Sequence, residues 1–300
     1  MIVGLAERSA ERRARRVLRA MERESSRPAR RRAAARLAVI TGVGAAAVLG
    51  LGLAAHSRGL DVRDPLSWFQ ARAYVDVDGR AVAVPQPEPA VGRLLPEVPV
   101  TTSGAYAFVH VDEDGSPVGY DPCRPVRYVV RADGAPPAGE QLVAEAIAEI
   151  SAATGLAFVD VGPTDEVPGV DRSLIQPERY GTAWAPVLIA WSTEREVPDL
   201  AGDVAGLGGS AMVPGADGSG SWLAAGRLVL DSEDLGRILG RGEGFARARA
   251  IVVHELGHVV GLDHVSDRFE LMNPTTSGVV DLGPGDRTGL ALVGAVACED

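Results

Sequence analysis

Apolar and polar positions alternate over 124–132 (RPVRYVVRA), the period of a half-buried strand. The period then changes. Leu142, Ala146, Ile150 and Ala153 recur at helical spacing within 137–155, and Gly155 supplies a stop. Short apolar runs at 156–161, 185–191 and 226–231 predict further strands. A helix is expected from about Gly244 to Val260, and a last one over 284–298 with Pro284 near its start. Strand, helix, strands, helix, helix is the order of an α/β or α+β domain, placed here at 104–300.

Upstream the pattern is different. Residues 37–55 (LAVITGVGAAAVLGLGLAA) form an uncharged run of nineteen residues. As a helix it would cover roughly the 30 Å hydrocarbon core of a bilayer. Arg30, Arg31, Arg32 and Arg36 flank only its N-terminal side, which predicts a cytoplasmic tail over 1–36 and an extracytoplasmic remainder. Gly52-Leu53-Ala54 would suit a signal cleavage site, so secretion after cleavage is the alternative. Residues 56–103 read as a stalk, proline-rich over 85–99. Two hairpin signals turn at Asp78-Gly79 and Asp114-Gly115, either a small β module or pieces packed on the main domain.

Charge sharpens this division. Residues 1–36 hold twelve Arg and four Glu, whereas the remainder holds 18 basic and 36 acidic side chains. So acidic a body argues against nucleic acid as a partner, because phosphate contacts need clustered cations. All 30 basic residues are Arg, which is read as coding bias. No nucleophile elbow and no phosphate-binding loop appear.

Chemistry concentrates in HELGHVVGLDH, residues 254–264, which holds three of the five histidines. His254 and His258 are one helical turn apart on one face, so both imidazoles can converge on one metal ion. Glu255 stands beside the first ligand, placed to act as general base on a metal-activated water. Gly261 can end the helix sharply, letting His264 return as third ligand and leaving a fourth position open. His56 and His110 are isolated and are read as surface or strand residues.

This motif, followed by ELMNP at 270–274, resembles the metzincin zinc peptidases, and HELGHVVGLDHVSD…LMNP is most similar to their matrixin branch. The resemblance implies a zinc-dependent endopeptidase with one catalytic Zn2+ and a peptide or protein substrate. It also implies a twisted mixed sheet packed on helices, with Met272 as an apolar floor beneath the metal. Substrate would lie extended along an edge strand, placed at 208–213. The family's PRCGxPD latency motif is absent. Residues 165–171 and 214–222 have a composition shared by calcium loops and ordinary surface loops, so no second metal is assigned. An even cysteine count in an oxidising compartment suggests a Cys123–Cys298 disulfide. The rival is Cys123 capping the zinc. The alternative function is a catalytically silent binding module with structural zinc.

Overall fold

The structure is a computed structural model and describes residues 73–169, 171–275 and 278–299. The chain divides into two units, Met1–Phe69 and Gln70–Asp300. The basic tail, the apolar run 37–55 and the stalk as far as residue 72 lie outside the described residues. No helix among the described residues is long and apolar enough to cross a membrane.

The second unit begins with a hairpin of β1 (Tyr74–Val77) and β2 (Arg80–Ala83), turning at Asp78 and Gly79, both at positive φ. Residues 93–103, expected to be stalk, run against the main domain. Arg93 donates to the Gly294 carbonyl at 2.8 Å, and Thr102 donates to that of Pro284 at 2.9 Å. The second hairpin signal yields only an isolated bridge, Val111 to Pro117. The residues before it form β3 (Ala107–Phe108), whose partner lies far along the chain.

The main sheet has five strands, β4 (Val126–Arg131), β5 (Phe158–Pro163), β6 (Val187–Ser192), β7 (Gly206–Pro214) and β8 (Ser221–Asp231), in the order β5-β4-β6-β8-β7. All neighbours are parallel except β7, which runs antiparallel to β8 and takes the edge. The α-helices among the described residues are α1 (Gly139–Thr154), a short α2 (Pro177–Tyr180), α3 (Ser232–Leu239), α4 (Gly244–Val259) and α5 (Pro284–Gly294). The expected last helix thus stops at Gly294. The connection from α4 enters β9 (Leu262–Asp263), which pairs antiparallel with β3.

Strand alternation divides the core. In β6, Val187, Ile189 and Trp191 join the large cluster containing Leu142 and Ile150 of α1 and Val252, Val253 and Leu256 of α4. Leu188 and Ala190 face the other way and pack with Val129 of β4 and Tyr180 of α2. Burial on both faces explains why this strand is continuously apolar. A buried ion pair, Glu166 to Arg172, fastens the long connection before α2, since Arg172 also donates to the carbonyls of Pro186, Ala225 and Gly226.

Candidate metal centre

Helix α4 places His254 and His258 one turn apart, as their spacing requires. It ends at Val259, and Gly261 N–H returns to the His258 carbonyl at 3.1 Å. Gly261 has φ 114°, which an L side chain rarely adopts. Beyond it the chain reverses through β9 to His264.

The three imidazoles meet edge on. His264 Nε2 lies 3.1 Å from His254 Nε2 and 3.1 Å from His258 Nε2. His254 Nδ1 is 2.7 Å from the Leu271 carbonyl, and His258 Nδ1 is 2.8 Å from that of Leu262. A carbonyl accepts only, so both Nδ1 atoms carry the proton and both Nε2 atoms present bare lone pairs. His264 has at most one Nε2 proton to share between two such neighbours. A shared cation satisfies all three nitrogens at once, which is the donor set and geometry that zinc takes from protein. Burial holds His254 below the ordinary 6.5 and pushes His258 down to about 4, so both are neutral and competent as ligands.

Glu255 projects from the same helix against β7. Burial raises its carboxyl to about 7, opposed by the Gly208 backbone N–H. The contact is close enough to dictate sequence. A Cβ on Gly206 would lie 2.7 Å from Glu255 Cγ, and the Gly-rich stretch thus works as a contact surface as well as an edge strand. This role of Gly206 and Gly208 is not visible in the motif itself.

Met272 is 2% exposed, and a Cβ on Gly257 would lie 2.7 Å from its sulfur. Glycine between the two helical ligands therefore lets Met272 rise under the helix. The turn carrying Met272 is fixed by Asp286 of α5, whose carboxylate accepts from the N–H groups of Leu271, Met272 and Gly283. Glu270 in return accepts from Gly285 and Asp286 N–H at the start of α5. Both acids are buried. Pro284 followed two residues later by Asp286 is the helix-start signal that points to Asp286, though not to its second task.

Cys123 and Cys298 are joined as a disulfide. Cys123 therefore does not reach the histidines, and the neighbouring carboxylate Asp121 hydrogen-bonds the Cys123 N–H at 2.8 Å. His110 lies between β3 and the bridge residue Val111, and its carbonyl accepts from Val118 N–H. His56 is outside the described residues.

Comparison with curated proteins gave no match. Residues 191–291 match the matrixin family model, an interval running from Trp191 in β6 to Ala291 in α5. It takes in β7, β8, α4, β9 and the methionine turn, and leaves out β4, α1 and β5. Over residues 191–291 the chain is similar to the matrixins, a family of metallopeptidases.

Proposed function

We propose that this protein is a zinc-dependent endopeptidase, with His254, His258 and His264 as ligands and Glu255 as general base. The observation that carries the reading is the meeting of three ring nitrogens, two of them bare, with a carboxyl on the same helix. A bound zinc ion supplies Lewis-acid activation of water and of the scissile carbonyl. Glu255 takes the proton from the attacking water and delivers it to the departing amine. β7 receives the substrate as an added strand, since no strand pairs with its outer edge among the described residues. Met272 and the Asp286 carboxylate keep the floor of the site in place.

The test is cleavage of a quenched peptide library by the full chain. Activity should stop with a chelator and return with Zn2+. Glu255→Gln should lower turnover by about 10²–10⁴-fold while retaining one equivalent of zinc. One bound equivalent with no hydrolysis of any peptide would leave a silent binding module.

We further propose attachment to the membrane through residues 37–55, with 1–36 cytoplasmic and the peptidase domain outside. The uncharged run and its one-sided arginines support this. Recovery of the chain in the soluble fraction, with residues 1–55 still present, would overturn it.

A further inference from the structure

The two helical ligands and the third ligand are held by different means. Helix α4 fixes the backbone of His254 and His258. His264 is exposed and follows a short connection through Gly261, a residue chosen for conformational freedom. Left alone, such a connection would let the third imidazole wander, yet a metal site needs its ligands held to within about 0.5 Å.

Something else braces the connection. β3 pairs with β9 in register, Ala107 opposite Asp263 and Phe108 opposite Leu262. Val109 N–H donates to the Gly261 carbonyl at 3.0 Å, so the contact continues back to the end of α4. The bracing segment is itself closed, with Val111 bridging Pro117 and Val118 N–H donating to the His110 carbonyl at 3.1 Å. Phe108 anchors it by packing on the main core, and Leu262 opposite is 1% exposed. This segment lies far upstream in sequence and outside the interval that matches the matrixin model.

We propose that residues 106–118 form a brace belonging to the metal centre, in which Val109 and Phe108 are positioning residues that hold His264 in place for metal binding. The inference rests on the zinc reading above.

Val109 is suited to a test because its side chain is 46% exposed, so Val109→Pro removes mainly the N–H donor. The preceding Phe108 is already in a strand, the conformation proline demands of its neighbour. Zinc affinity is measured on the full chain by competition with a chelator. The visible spectrum of the Co2+-loaded protein reports ligand geometry. Val109→Pro should weaken zinc binding by about 10–100-fold, as loss of outer support at metal sites does. Phe108→Ala should act in the same direction and carries the test if the proline variant does not fold. In a His264→Ala background, Val109→Pro should cost less than the loss of about 10–100-fold expected with His264 present, since the ligand it positions is gone and only the hold of the Leu262 carbonyl on His258 Nδ1 is left to disturb. Wild-type affinity and an unchanged Co2+ spectrum in both variants would overturn the brace. So would an equal loss with and without His264. Wild-type protein that takes up no zinc would overturn the zinc reading and the brace together, whereas tight zinc binding without hydrolysis would leave the brace standing.

Discussion

A Cβ placed on Gly208 would lie 2.0 Å from the carbonyl oxygen of Glu255 and 3.0 Å from its Cα. The edge strand therefore crosses the histidine helix backbone against backbone, at the residue that bears the proposed base. Any side chain at 208 forces strand and helix apart. Gly208→Ala should lower the unfolding free energy by about 1–3 kcal/mol in urea denaturation. Gly209 is the internal control, because a Cβ there meets nothing within 4 Å. Gly209→Ala should change stability by no more than about 0.5 kcal/mol. Equal effects at both positions would show that the close crossing is absent in solution.

Zinc bound only by the folded state stabilises it by mass action. At free zinc about a thousandfold above the dissociation constant, the gain is about 4 kcal/mol. The melting temperature should rise with zinc and fall with a chelator in a reversible thermal scan. His258→Ala, which removes a helical ligand, should flatten that dependence. A His258→Ala protein with the same zinc-dependent rise as the wild type would place the metal elsewhere.

How much of this was legible in the sequence differs by element. Helix α1 is written in its spacing, and Gly155 ends it at φ 70°. The metal ligands are written in a motif, because rare residues at helical spacing need no tertiary information to be noticed. Helix α3 gave no such sign, since only Leu235 among its residues is buried and eight residues allow little periodicity. Its one local signal is its cap. Asp231 ends a strand and accepts from the N–H groups of Glu233 and Asp234, both at 2.8 Å. The brace was hidden for another reason. β3 is two residues long, and Arg93, Thr102 and Val109 all hold the domain through distant backbone carbonyls, which every residue possesses. Contacts of that kind leave no pattern in side-chain identity.

Stability should fall in acid in a way traceable to Glu166. Burial alone would raise its carboxyl, but Arg172, Gln176 and Tyr180 all donate to it and together hold it below the ordinary 4.5. A carboxylate lowered on folding stabilises the native state above its unfolded value. That contribution is lost as pH falls below 4.5 and through the lowered native value. Glu166→Gln leaves Arg172 buried without its counter-charge, a loss of about 3 kcal/mol at neutral pH. Urea unfolding at pH 7 should show that gap, and the gap should narrow as pH drops below the carboxylate range. A gap that stays constant from neutral pH down to acid would mean the ion pair does not form.

The disulfide separates constraint of the unfolded chain from support of the folded one. Cys123 and Cys298 are 175 residues apart, so the bond closes most of the domain into one loop. The chain-entropy model assigns such a loop about 5 kcal/mol, acting on the unfolded ensemble. In the folded protein the C-terminal segment around Cys298 is also held by other bonds, to the segment of Cys123 and to residues 216 and 222. Arg124 donates to the Glu299 carbonyl at 2.8 Å, Trp222 Nε1 to that of Ala297 at 3.1 Å, and Ala216 N–H to the Glu299 carboxylate at 2.9 Å. These remain when sulfur is removed. The Cys123→Ser/Cys298→Ser double variant should therefore unfold at markedly lower urea while keeping wild-type zinc affinity. A drop in zinc affinity parallel to the drop in stability would mean the bond shapes the native metal centre. An unchanged midpoint would mean the loop is not closed in the wild-type protein, which a mass comparison with and without reductant would then confirm.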